Sequence, residues 1–179
     1  MIFTATHLTG AYVIDLDPIV DERGFFARSF CADEFDRHGL ATAMTQCSVS
    51  FNAARGTLRG LHFQAAPRDE EKLVRCTAGR IFDVVVDIRP ASPTFRQWYG
   101  TELSAENHRA MYVPKGFAHG FVTLTGDTEV LYMISVPYAP GFAGGYRWND
   151  PAFAIRWPIE PVVISSRDAA YPAFVAPEG

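Results

Sequence analysis

Between residues 12 and 136 single prolines and glycines cut the chain into ten short apolar runs, and this punctuation restricts the possible folds more than any other feature. The runs fall at 12–19, 25–30, 44–51, 57–64, 72–77, 80–88, 97–103, 110–113, 120–125 and 128–136, each of strand length. So many strands in a chain of 179 residues imply an all-β barrel or jelly roll, an architecture that also removes exposed sheet edges. One short helix is expected over 32–38, where polar residues surround Phe35 and Gly39 supplies a stop. The tail over 148–179 holds five of the 12 prolines and is expected to wrap the barrel. The whole chain, 1–179, is therefore expected to be one domain.

Alternation within the runs supports half-buried strands, since Phe82, Val84 and Val86 share one face while Asp83, Val85 and Asp87 share the other. The run 57–64 resists that rule. A plain strand there places Leu58, Gly60 and His62 on one face and Arg59 on the opposite one. For Arg59 and His62 to serve one cavity, a bulge or twist at Gly60 must realign them, a common use of glycine within strands.

Charge excludes several functions. The formal net charge is -4 and the basic residues are scattered, which argues against a nucleic-acid partner, because duplex affinity rests on clustered Lys and Arg. A small anion fits better. No apolar run approaches the roughly 18 residues needed to cross a bilayer, and residues 1–10 lack a signal-peptide pattern, so no membrane partner and a cytoplasmic location are expected. Cys31, Cys47 and Cys76 form an odd set without CxxC spacing, which reads as reduced, buried thiols.

The groups suited to chemistry cluster around His62. Histidine exchanges protons near neutrality, with an unperturbed pKa of roughly 6.5. A lone strand histidine is more often structural, yet Arg59 and Lys72 stand close to this one in sequence, and cations beside a histidine suggest a bound phosphate or a developing oxyanion. Tyr132 shares a parity face with Thr128, Val130 and Ile134; it reads equally as a lining residue and as a proton donor. Asp168 would fix the tautomer of His62 if it reached the ring, though an aspartate in such a tail is by default a surface residue.

The segment from Pro114 to His119 is similar to the second metal motif of the cupins. The first cupin motif needs an HxH pair, but the corresponding place reads His62-Phe63-Gln64, so a cupin-like barrel without a catalytic metal is expected. Nearly the whole chain resembles the dTDP-4-dehydrorhamnose 3,5-epimerase family, cupin-like proteins acting on nucleotide-linked 4-keto sugars. The resemblance rests on ordered motifs: DERGFF at 21–26, RGLHFQ at 59–64, KLVRC at 72–76, DVVVDIR at 83–89, SPTF at 92–95, PKGFAHGF at 114–121, EVLY at 129–132 and SSRD at 165–168. It implies a cupin-like jelly roll with short peripheral helices and an epimerase that inverts C3, C5 or both of a nucleoside-diphosphate 4-keto-6-deoxy sugar.

The resemblance further implies His62 as base, Asp168 as its orienting partner, Tyr132 as the acid on the opposite side of the sugar and Lys72 as the group that meets the enolate oxygen. Arg23 and Arg59 match diphosphate-holding positions and His119 and Tyr138 match other binding positions; Arg167 stands at a binding position where the family often has lysine, and Gln46 and Ser48 stand at binding positions where the usual polar sequence with asparagine is altered. Phe26 matches a residue that reaches a neighbouring subunit's site, because members of the family pair as homodimers by exchanging N-terminal strands. Arg28 stands where many members carry glutamate, and 139–145 lacks an acidic residue that others have near the nucleotide. No cofactor and no metal are implied. Two other activities fit a barrel of this kind: a sugar-nucleotide ketoisomerase, which moves the carbonyl, and a metal-dependent cupin.

Overall fold

The computed structural model describes residues 1–175, and its fourteen strands build two facing sheets with a separate hairpin. The last four residues of the expected 1–179 domain and tail lie outside the described residues. In chain order the elements are β1 (Ile2–Ala5), β2 (Tyr12–Asp15), β3 (Ile19–Asp21), β4 (Gly24–Phe26), α1 (Ala32–Arg37), β5 (Gln46–Asn52), β6 (Thr57–Gln64) and β7 (Lys72–Ala78). They continue with β8 (Arg80–Asp87), β9 (Trp98–Ser104), β10 (Ala110–Val113), β11 (Phe117–Thr123), β12 (Thr128–Ile134), β13 (Ala143–Gly145), β14 (Val163–Ile164) and α2 (Ser166–Ala169).

The first sheet runs β1-β2-β10-β7-β12-β5 and the second β13-β6-β11-β8-β9, with β14 parallel to β6. Inward side chains from both close on one apolar core, including Val13, Val74, Met111 and Val130 from the first sheet and Ile81, Val85, Leu103 and Phe121 from the second. Each sheet also buries part of its outer face. On the first, Phe35 of α1 packs with Ile14, Leu73 and Tyr112. On the second, tail residues Phe153, Trp157 and Phe174 cover Leu61, Val84 and Val86. The division expected within β8 holds, with Val84 and Val86 beneath the tail and Val85 in the core between the sheets. Of its inward acids, Asp87 is costly to bury, yet Arg89, Ser92 and Thr94 hold its carboxyl down to about 2.

Several boundaries differ from the sequence reading. The strand expected over 12–19 stops at Asp15 and resumes at Ile19, because Pro18 has no N–H to give a ladder. The strand expected over 25–30 ends at Phe26, and β1, an edge strand paired to β2, was not expected. Two of the three thiols are not buried: Cys47 is exposed, because it points outward on β5, and Cys31 is partly exposed beside α1. None of the helices described is long and apolar enough to cross a membrane.

The realignment expected at Gly60 is present. His62 pairs with His119 and Arg59 with Phe121, so β6 spends one residue more than β11 over the same stretch. Gly60 has φ 133, and a Cβ there would sit 2.6 Å from the Gly120 Cα, so both the twist and the close strand approach require glycine. Beyond the bulge β6 is flanked by β13 at its C-terminal half and by β14 at its start. The second pairing carries α2 against β6.

Candidate active site

A cavity of about 300 Å³ opens between the two sheets. The second sheet contributes Arg59, His62 and Gln64 from β6 and His119 and Phe121 from β11; the first contributes Ser48 and Ser50 from β5, Lys72 from β7, and Tyr132 and Ile134 from β12. Tyr138 and Arg167 stand at its rim. The bulge is what places Arg59 and His62 in the same wall, and the parity of β12 is what turns Tyr132 inward with Val130.

Asp168 lies behind His62, outside the cavity lining. Its Oδ1 is 2.8 Å from His62 Nε2, and its Oδ2 accepts the Gly60 N–H at 3.1 Å. The α2 N-cap fixes it further, as the Asp168 N–H donates to Ser165 Oγ at 3.0 Å. Burial opposes ionisation, but the His62 ring, the Gly60 N–H and Ser165 together hold the carboxyl below its ordinary value. An ionised carboxylate on Nε2 leaves Nδ1 of His62 as the nitrogen free to accept a proton.

Tyr132 comes from the opposite sheet, its ring edge-on to His119 with centroids 6.1 Å apart. Burial drives its phenol pKa well above the usual value and Asp83 adds to this, while Ser50 and Arg59 act the other way. The phenol therefore keeps its proton at neutral pH. His119 is buried and bound through Nε2 to Asp83 Oδ1 at 2.7 Å. Among the described residues no group of three or more His, Cys, Asp or Glu is placed to hold a metal ion. Gln64 instead braces loops, donating to Arg68 O at 3.0 Å and accepting the Ala139 N–H at 2.6 Å.

The cations are held in place. Arg59 Nε donates to Asn52 Oδ1 at 2.7 Å, and Asn52 in turn donates to Thr128 O at 3.1 Å. Lys72 Nζ sits 2.7 Å from Glu70 Oε1, both side chains being about 10% exposed. Arg167 lies over the Tyr171 ring at 5.8 Å. Of the residues singled out from sequence, eight line this one cavity: His62, Tyr132, Lys72, Arg59, Ser48, His119, Tyr138 and Arg167. Gln46 does not, its side chain accepting the Tyr138 N–H and so setting the rim loop. Arg23 and Phe26 stand apart on the β3–β4 hairpin, where Arg23 pairs with Asp21 and Phe26 is 77% exposed. Sequence reasoning missed Glu70, Asn52 and Asp83. The inward parity of Asp83 beside Val85 was the available signal, since an acid facing a core needs a partner.

Fold and site define a class: a cupin-like double-sheet barrel whose cavity brings together an imidazole, a phenol and three cationic side chains. Comparison with known proteins narrows it. The model of the family described as dTDP-4-dehydrorhamnose 3,5-epimerase matches residues 5–176, so this chain belongs to that family. The dTDP-4-dehydrorhamnose 3,5-epimerase of Salmonella typhimurium is 43% identical over 174 residues, covering 96% of this chain and 94% of the relative. The crystal structure of the Elizabethkingia anophelis enzyme of the same name superposes with a TM-score of 0.94 at 38% identity, over 97% of this chain and 96% of that one. A dTDP-6-deoxy-D-glucose-3,5-epimerase of Legionella pneumophila, solved in complex with dTDP-4-keto-L-rhamnose, superposes with a TM-score of 0.89 at 40% identity, over 96% and 91% of the two chains.

Proposed function

We propose that this chain inverts C3 and C5 of a dTDP-linked 4-keto-6-deoxy sugar, with His62 as base and Tyr132 as acid. The 4-keto group acidifies the hydrogens on both neighbouring carbons. His62 Nδ1 takes one of them, the C–H electron pair moves into the carbonyl, and the resulting enolate oxygen meets the Lys72 ammonium. Tyr132 then delivers a proton to the other face, which inverts the carbon, and solvent reprotonates the phenol and deprotonates the imidazole. Asp168 orients the base throughout. Arg59 and Arg167 take the diphosphate, while Ser48, His119 and Tyr138 contact sugar and nucleotide. The observation that carries this reading is a carboxylate-bound imidazole and a protonated phenol from opposite sheets lining one hollow.

Proton NMR in heavy water with dTDP, CDP, UDP and GDP 4-keto-6-deoxy sugars tests it. The expected result is deuterium at C3 and C5, inverted carbons, a ketone still at C4 and preference for dTDP. Migration of the ketone would identify a ketoisomerase instead, and no exchange with any sugar would leave a binding protein.

The protein acts as a cytoplasmic homodimer of one-domain subunits in this reading. The support is the β3–β4 hairpin, which carries Ile19, Val20, Phe25 and Phe26 exposed, together with the outward Val49 and Phe51 on edge strand β5. Apolar side chains on an arm and on a sheet edge both need cover. An arm crossing between subunits would bring Arg23 and Phe26 to the partner's cavity. Light scattering at micromolar concentration should give a dimer, and Phe26→Asp should shift it toward monomer with loss of activity; a monomeric, fully active parent protein would exclude the exchange.

A further inference from the structure

Glu70 is the one carboxylate among the described residues that line the cavity, and no step above uses it. Its placement is built by its neighbour. The Glu71 N–H donates to Ser135 Oγ at 2.9 Å, its carbonyl accepts the Ser135 N–H at 3.0 Å, and its carboxylate accepts the Tyr112 hydroxyl at 3.1 Å. Since side chains alternate along extended chain, pinning Glu71 outward turns Glu70 and Lys72 inward together. Lys72 is further fixed by backbone pairing of β7 to Ile134 of β12 and Val113 of β10. The ammonium and the carboxylate then meet at 2.7 Å with both side chains about 10% exposed.

We propose that Glu70 is a positioning residue: it holds the Lys72 ammonium at one point of the cavity wall, so that the remaining N–H bonds aim at the substrate's C4 oxygen. An ammonium carries three donors on a stem with four rotatable bonds, and without an anchor it samples many positions in a hollow of this size. Committing one donor to Glu70 fixes the directions of the other two. The pairing leaves ground-state binding of the nucleotide to Arg59 and Arg167 and reserves Lys72 for the charge that appears in the enolate. This proposal rests on the epimerase reading.

Two variants separate placement from charge. Glu70→Gln keeps the length and an acceptor oxygen, whereas Glu70→Asp keeps the charge and shortens the reach by one methylene. Deuterium exchange into the dTDP 4-keto-6-deoxy sugar is expected to stay near the parent rate in E70Q and to fall about tenfold in kcat in E70D, as misplacement of a catalytic group does, with KM and dTDP affinity nearly unchanged. In a Lys72→Ala background E70D should cost nothing more. Equal rates for E70D and the parent, the reverse order of the two variants, or an undiminished cost of E70D when Lys72 is absent would overturn the proposal. A parent protein that exchanges no deuterium would instead remove the epimerase reading itself.

Discussion

His62→Asn is expected to lower exchange and inversion at both carbons by about a hundredfold or more, the usual contribution of a positioned proton-transfer group. The variant should stay folded and still bind dTDP, with some loss of stability because buried Asp168 loses its ring partner. Asparagine is smaller than histidine and its amide stands at the level of Nδ1, so Asp168 loses its ring partner but keeps the Gly60 N–H, and the side chain cannot take up a proton near neutrality. Asp168→Asn should give a smaller loss with a changed pH profile. In the proposed mechanism the carboxylate holds a proton on Nε2 and stabilises the imidazolium that forms after abstraction; the amide does neither reliably. The folded-state pKa of Asp168 lies below its unfolded value, so its contribution to stability is complete above the ordinary carboxylate range. That contribution is lost as the pH falls through the folded value. The pH-rate changes near neutrality should therefore come from proton transfer, not unfolding. Exchange at the parent rate in His62→Asn would remove the imidazole from the mechanism.

The parts of the site visible in the sequence are those set by strand periodicity. Tyr132 turns inward because Val130 does, and the conflict between Arg59 and His62 demanded the bulge that Gly60 supplies. Contacts made across long separations were not visible in the same way. Asp168 lies 106 residues from His62, and their meeting depends on two residues of β14 pairing in parallel with the start of β6, a segment too short to carry a pattern. The residues alone left Asp168 a surface aspartate by default, and resemblance to a family gave it the orienting role. Glu70 escaped because it sits in a turn-like stretch of charge just before β7, where its direction is fixed by hydrogen bonds from Glu71 and not by alternation in a recognised run. The hairpin shows a different limit. Adjacent apolar pairs at Ile19-Val20 and Phe25-Phe26 fit strands, but sequence says nothing about whether the cover for Phe25 and Phe26 comes from the same chain.

Tyr132→Phe is expected to separate two events that the parent protein couples. The substitution removes one oxygen from the first sheet and leaves the ring, its edge contact with His119 and the backbone pairing to Ser48 and Val74 in place. His62 on the other sheet and Asp168 behind it on α2 are untouched, so abstraction of the substrate proton can continue. What disappears is the donor on the far face, a phenol that burial keeps protonated at neutral pH. The enolate then has only the imidazolium from which to recover a proton, and that proton returns to the side it left. Inversion should fall about a hundredfold or more, while deuterium still enters C3 or C5 with retained configuration whenever the imidazole exchanges with heavy water before giving its proton back. Proton NMR reads both quantities in one tube, as loss of the C–H signals against appearance of the epimer. A rise in the ratio of exchange to inversion is the signature of a two-sided mechanism. Equal loss of both would mean that the phenol also serves the first step, and parent-like inversion would mean that the second proton comes from elsewhere in the cavity.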